Sequence, residues 1–235
     1  MAATAFDMPR LVSLLAPHPA TELQLDLETT PGRADWWSVA IVLAGAGPEP
    51  RGLQASRRLL EQEFSSPASL ARADPANVAA ALEALGEARA LPVAARLVQS
   101  QRNLQERWGG SLEALGTDCD ELEELGSRLA SLCPGIGAST VLRFLRPLRA
   151  VFGAAEATPL LAAAGAAARH LGWGEADDAG APDALLHHWR QAGEPVAFRD
   201  LEAALERLGS RACLRERPQR CPLEAACPLR PAAGA

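Results

Sequence analysis

The chain has no lysine: all 23 of its basic side chains are arginine. A GC-rich genome, which favours Arg, Ala, Gly and Pro codons, explains the bias, and its chemical consequence holds whatever the origin. With no side-chain amine to form an imine, reactions through a lysine Schiff base are excluded. Tyrosine is absent too and β-branched residues are sparse, while alanine and leucine dominate. Ala and Leu lose little freedom in a helix, whereas Val, Ile and aromatics do better in strands, so an all-α protein is expected. No apolar run reaches the roughly 18 residues of a membrane span. The opening MAATAFDMPR has no basic segment followed by an apolar core, so no secretory signal is readable. The expected protein is a soluble monomer of the bacterial cytoplasm, at the nucleoid, without a membrane partner.

The 235 residues suit one large domain or two small ones, at about 100–200 residues per domain. The formal charge of −6 argues against an indiscriminate nucleic-acid binder, because cations must supply phosphate contacts. The charge is unevenly spread, however. Residues 1–132 hold 11 Arg against 18 acids, and residues 133–235 hold 12 Arg against 11 acids. A DNA-facing surface is therefore expected in the second part.

Helix punctuation is regular. Ser66-Pro67, Asp74-Pro75 and Thr158-Pro159 read as an N-cap followed by a first-turn proline, and Gly86, Gly109-Gly110, Gly153 and Gly172 read as stops. Between them lie segments of helical length at 53–63, 77–85, 92–108, 121–132, 138–152, 159–171, 182–191 and 197–208. Leu201, Leu205 and Leu208 keep the spacing of a buried stripe. WWSVAIVLAGAG is apolar all round, as a central helix should be, and GWGEADDAGAP at 172–182 reads as an exposed loop.

In LCPGIGAST a helix ends, Pro134-Gly135-Ile136-Gly137 turns tightly, and a second helix starts near Ala138. Two glycines let backbone come close to a phosphate, and the first amides of the second helix point at it with the positive end of the helix dipole. A helix-hairpin-helix of this kind grips backbone without reading sequence. Pro134, Gly135, Ile136, Gly137 and Thr140 are its candidate contacts, and Arg143, Arg146 and Arg149 at i, i+3, i+6 extend the grip.

Cys213, Cys221 and Cys227 are spaced C-x7-C-x5-C, interleaved with Arg215, Arg217 and Arg220. So dense a cluster in a cytosolic chain points to soft-metal ligation rather than a disulfide framework. Cys119 and Cys133 have no such neighbours. His170, and His187 and His188 beside Trp189, show no ligand spacing.

With these motifs the chain resembles the endonuclease III family of helix-hairpin-helix DNA glycosylases, nearly end to end. PHPATEL at 17–23 is similar to the family's opening, AIVLAGAG at 40–47 to its central helix, CPGIG to its hairpin, and FRDLEAALERLGSRAC at 198–213 to the approach to its cysteine cluster. The resemblance implies two helical lobes: a barrel over 30–152 ending in the hairpin, and a second lobe from 1–29 and 153–235 that carries the cysteine loop at 213–227. It also implies double-stranded DNA as partner, held with a damaged base flipped out.

The departures fall on the family's chemistry. The bifunctional members' lysine nucleophile matches Ser139, whose hydroxyl cannot form an imine, so amine-based lyase activity is not expected. The family's aspartate, roughly twenty residues further on, stabilises the cationic sugar and activates the attacking group. Its place falls near 158–161, and between Ser139 and Glu175 the one acid is Glu156, a candidate surrogate. The base-flipping SAQ becomes AGA at 44–46, and the wedge loop carries Glu87 to Arg89, with Arg89 able to intercalate or stack. The family's C-x6-C-x2-C-x5-C keeps three of its four thiolates here, which suit a [4Fe–4S] cluster with a non-cysteine fourth ligand, a lesser cluster, or a metal-free relic whose LRERPQR loop still presents arginine to DNA.

The leading expectation is a catalytically silent or strongly impaired member that binds damaged or distorted duplex DNA. The alternatives are an active monofunctional glycosylase using Glu156, and a helical interaction module whose partner face is Asp118, Asp120, Glu121, Glu123 and Glu124.

Overall fold

The computed structural model describes residues 7–47, 49–62, 64, 66–153, 158–173 and 182–223. Among these residues all regular structure is helical. The helices are α1 Met8–Leu15, α2 Pro19–Glu22, α3 Thr30–Ala46, α4 Glu49–Glu61, α5 Pro67–Arg72, α6 Pro75–Ala81, α7 Glu87–Trp108, α8 Leu112–Gly116, α9 Leu122–Ala130, α10 Ala138–Leu145, α11 Ala162–His170, α12 Asp183–Gln191 and α13 Phe198–Arg211. No described helix is long and apolar enough to cross a membrane. The chain forms two compact units, Glu22–Thr158 and Met1–Thr21 with Pro159–Ala235. Their boundaries fall at 21/22 and 158/159, against the 29/30 and 152/153 that the resemblance implies.

In the unit Glu22–Thr158, α3 is the central rod. Its apolar composition all round buries 12 of its 17 residues, and α4, α7, α8 and α10 pack against it. Trp36 and Trp37 are fully buried, so each indole N–H needs a partner. Trp36 Nε1 donates to the Phe144 carbonyl at 3.0 Å and Trp37 Nε1 to Ser100 Oγ at 3.0 Å. Trp37 also meets Phe144 edge to face, with ring centroids 5.0 Å apart. These contacts fix α10, and with it the end of the hairpin, against the rod. The rod's N-terminus is held by the Thr29 hydroxyl, which accepts from Gly32 N at 3.2 Å. Buried Arg33 reaches Glu113 at 2.7 Å and the Leu27 carbonyl at 3.0 Å.

The unit of both termini is built on small residues. In α11, Ala163, Ala164, Gly165, Ala166, Ala167 and Ala168 are all buried, and α13 packs so closely that a methyl group on Gly209 would overlap the Ala163 carbonyl. Asp200 on α13 accepts from His18 N and from Thr21 Oγ1, each at 2.8 Å. Arg207 Nη1 donates to the carbonyls of Ala16 at 2.7 Å and Pro17 at 2.6 Å. The PHPATEL segment is thus tied to FRDLEAALERLGSRAC by two charged side chains. His188 stacks on Trp173, and His187 Nε2 lies 2.9 Å from Gln191 Nε2.

Ser66 and Asp74 cap α5 and α6 as the sequence implies, accepting from Ser69 N at 3.1 Å and Ala76 N at 2.8 Å. Three expectations are corrected. Thr158 caps no helix: α11 begins at Ala162 behind Leu161, and the fully buried Thr158 gives its carbonyl to Arg149 Nε and Nη2 at 3.1 and 2.8 Å. The helix expected over 138–152 stops at Leu145 and tightens into a 3-10 turn at Arg146–Leu148, because Pro147 has no N–H to continue the ladder and crowds the preceding turn. Conversely α7 starts at Glu87 and carries Pro92 inside it, where one missing bond is tolerated.

Candidate nucleic-acid interface

The hairpin lies between α9 and α10. Gly135 has φ +89°, a left-handed conformation that favours glycine, and Ile136 N closes the turn on the Cys133 carbonyl at 3.1 Å. Gly137 is the N-cap of α10 with φ −100°, ψ 176°, and no side chain caps the helix. Its carbonyl accepts from Thr140 N at 3.0 Å and Val141 N at 3.2 Å. The amides of Ala138 and Ser139 are therefore the orphan donors of the first turn. Pro134, Gly135, Gly137, Ala138 and Ser139 are placed as follows: Gly135, Gly137, Ala138 and Ser139 are exposed, and a Cβ on Gly137 would meet nothing within 4 Å. Pro134, at the start of the turn, is exposed as well. Ile136 and Thr140 are 6% and 5% exposed, so their side chains anchor the turn from beneath and only their backbone is near the surface.

The expected arginine row does not form along one helix. Arg143 is on α10, half-buried with Nε lacking a hydrogen-bond partner among the described residues, and Arg146 is in the following 3-10 turn. Arg149 spends its guanidinium on the carbonyls of Thr158 and Arg146. It is a clamp inside the unit rather than an extension of the grip. Arg89 is exposed at the start of α7 and donates from Nη1 to the Ala46 carbonyl at 2.7 Å, so the wedge position meets the last residue of AGA.

Sequence reasoning passed over Arg96, which stands two helical turns after Arg89 on the same face of α7. A methyl group on Gly135 would lie 3.2 Å from its Cδ, and one on Gly45 would lie 3.6 Å from its Nη2. Burial pushes the Cys133 thiol up, and the nearby Arg96 charge partly offsets that push. Further along this face, Asn103 Nδ2 holds the Leu132 carbonyl at 2.8 Å and Arg107 Nη1 reaches Ser131 Oγ at 3.0 Å. The i, i+7, i+14 spacing of Arg89, Arg96 and Asn103 was the available signal.

Leu161, the N-cap residue of α11, carries no acceptor for the helix's first amides, and it ends the stretch 158–161 near which the resemblance puts the aspartate. Glu156 lies outside the described residues. Cys213 and Cys221 are 7% and 5% exposed in one apolar cluster with Leu160, Leu208 and Leu223, and Cys227 lies outside the described residues. Among the described residues no group of three or more His, Cys, Asp or Glu could hold a metal ion. Arg215 and Arg220 are exposed and Arg217 half-buried, on two 3-10 turns and the link between them. Between α9 and α10 runs a groove of about 300 Å³ whose lining includes Leu122, Gly126, Ala130, Val141 and Leu142 together with Glu123.

No protein-family model matches the chain, and no curated protein matches it.

Proposed function

We propose that the protein binds double-stranded DNA through the hairpin at 133–141, as an endonuclease III-like, helix-hairpin-helix member of the base-excision repair type that is catalytically silent or strongly impaired. The observation that carries the reading is the exposure of Gly135, Gly137, Ala138 and Ser139 around the buried Ile136, with two orphan amides at the uncapped start of α10. An anion is the natural occupant of such a start. Ser139 in place of an amine and the absence of any acid across 158–161 support loss of chemistry, because a hydroxyl forms no imine and no carboxylate stands there to stabilise the cationic sugar. The same reading gives Arg215, Arg217 and Arg220 to the DNA backbone and Cys213, Cys221 and Cys227 to an iron–sulfur group with an incomplete cysteine set.

The test is a paired assay on intact, oxidised-pyrimidine, mismatched and abasic-analogue duplexes, scoring binding at fixed salt and base release by alkaline heating. Lesion-dependent binding without release is expected. Release without strand breakage would replace this reading by a monofunctional glycosylase and direct attention to Glu156→Gln. A second reading, a helical interaction module, is favoured by the apolar groove between α9 and α10 beside the acidic start of α9. It requires that the purified chain leave every duplex unbound.

A further inference from the structure

Arg96 is a guanidinium that two glycines far apart in sequence approach. Its stem packs on Gly135 and its Nη2 reaches toward Gly45, so the charge stands between the hairpin and the end of α3. It is half-buried, which holds the stem in place and leaves the head in reach of solvent. Its one hydrogen bond among the described residues runs from Nε to the Pro92 carbonyl of its own helix at 3.3 Å, and no carboxylate pairs with it there. Contrast Arg89, Arg102, Arg128, Arg149 and Arg207, each of which donates at least one bond of 2.8 Å or shorter to a backbone carbonyl. An arginine whose fork is left open beside a backbone turn without Cβ atoms is arranged to meet a planar or tetrahedral oxyanion from outside the protein.

We infer that Arg96 is a phosphate-binding residue, holding the DNA backbone phosphate next to the one gripped by the amides of Ala138 and Ser139. The inference rests on the proposed DNA-binding role and adds a contact which that reading did not contain. Arg96 supplies charge to the hairpin from another helix, so the grip spans α7 and α10 instead of following α10 alone. Such a contact reads no sequence and weakens with salt.

The experiment measures duplex affinity across a salt series for the wild type, Arg96→Gln, Arg96→Lys and Gly137→Asp. Arg96→Gln is expected to bind roughly tenfold more weakly on every duplex, as loss of a charge-assisted contact requires. The slope of log K against log salt should fall by about one. Arg96→Lys should keep the wild-type slope, because a lysine retains the charge. Thermal unfolding of Arg96→Gln should match the wild type, which a purely structural arginine would not allow. If the wild type binds, Gly137→Asp does not, and Arg96→Gln keeps both affinity and slope, the inference fails while the DNA-binding reading stands. If the wild type binds no duplex, both fail together. A lower melting temperature for Arg96→Gln with an unchanged slope makes Arg96 a packing residue and also overturns the inference.

Discussion

Arg89 Nη1 donates to the carbonyl oxygen of Ala46 across 2.7 Å, joining the first turn of α7 to the last residue of α3. A cation at a helix C-terminus satisfies an orphan carbonyl and opposes the negative end of the dipole. Gly47 follows with φ +76°, and any side chain there would displace the Arg89 guanidinium. Arg89→Ala should therefore lower stability by about 1 kcal/mol, read as a shift in the denaturant midpoint at unchanged slope. An unchanged midpoint would mean that the contact contributes nothing in solution.

Gly209 tests the packing of the unit formed by both termini. A methyl group there would overlap the Ala163 carbonyl, so α11 and α13 must separate to admit it. Gly209→Ala should cost about 1–3 kcal/mol, although alanine is the better helix former. Gly137→Ala, where open space surrounds the Cβ, should cost far less in the same measurement.

Asp35 sets an opposing pH dependence within α3. Burial pushes its carboxyl up to about 6. The folded state then holds the proton more tightly than the unfolded chain, whose aspartates titrate near pH ~4. The burial penalty is absent below about pH 4, grows as pH rises towards 6 and is complete above. Asp35→Asn should therefore raise the thermal midpoint at pH ~7.5, with the gain vanishing near pH ~4. Glu113 has the reverse sign. Burial pushes it up, but the Arg33 hydrogen bond, its own backbone bond and the Ser111 hydroxyl outweigh that and hold it below the usual range. Its contribution is present near neutrality and is lost on acidification, so Glu113→Gln should destabilise at pH ~7 and progressively less towards pH ~3.

Ser139 is exposed at the start of α10, and a lysine there would be the only side-chain amine in the chain. Under the proposed function, Ser139→Lys should become trapped covalently on abasic duplex DNA by borohydride, while the wild type should not. An imine needs a primary amine within reach of the sugar aldehyde, so trapping reports where the abasic site sits. Absence of trapping in a variant that still binds would place the sugar away from the hairpin.

Much of the fold was legible because local chemistry and packing agree. The apolar run around Trp36 and Trp37 had to be a buried rod, and Ser66-Pro67 and Asp74-Pro75 had to cap helices. The hairpin glycines marked a turn because Gly135 adopts positive φ. What the sequence misplaced depended on distant partners. Thr158-Pro159 has the form of a cap, yet Arg149 captures the Thr158 carbonyl and the next helix starts later. Pro147 broke a helix whose hydrophobic pattern continued through it. Arg96 was invisible because its meaning lies in two glycines far from it in sequence, Gly45 and Gly135.

The most direct measurement is duplex DNA affinity for the wild type and Gly137→Asp, taken together with their melting temperatures. Gly137 has an extended backbone that any residue adopts and open space around its Cβ, so an aspartate fits as the N-cap of α10. Its carboxylate would occupy the orphan amides and repel a phosphate, while stabilising the helix by about 1 kcal/mol. The expected result is a variant at least as stable as the wild type that no longer binds DNA. Wild-type affinity in that variant would contradict a phosphate grip at the hairpin.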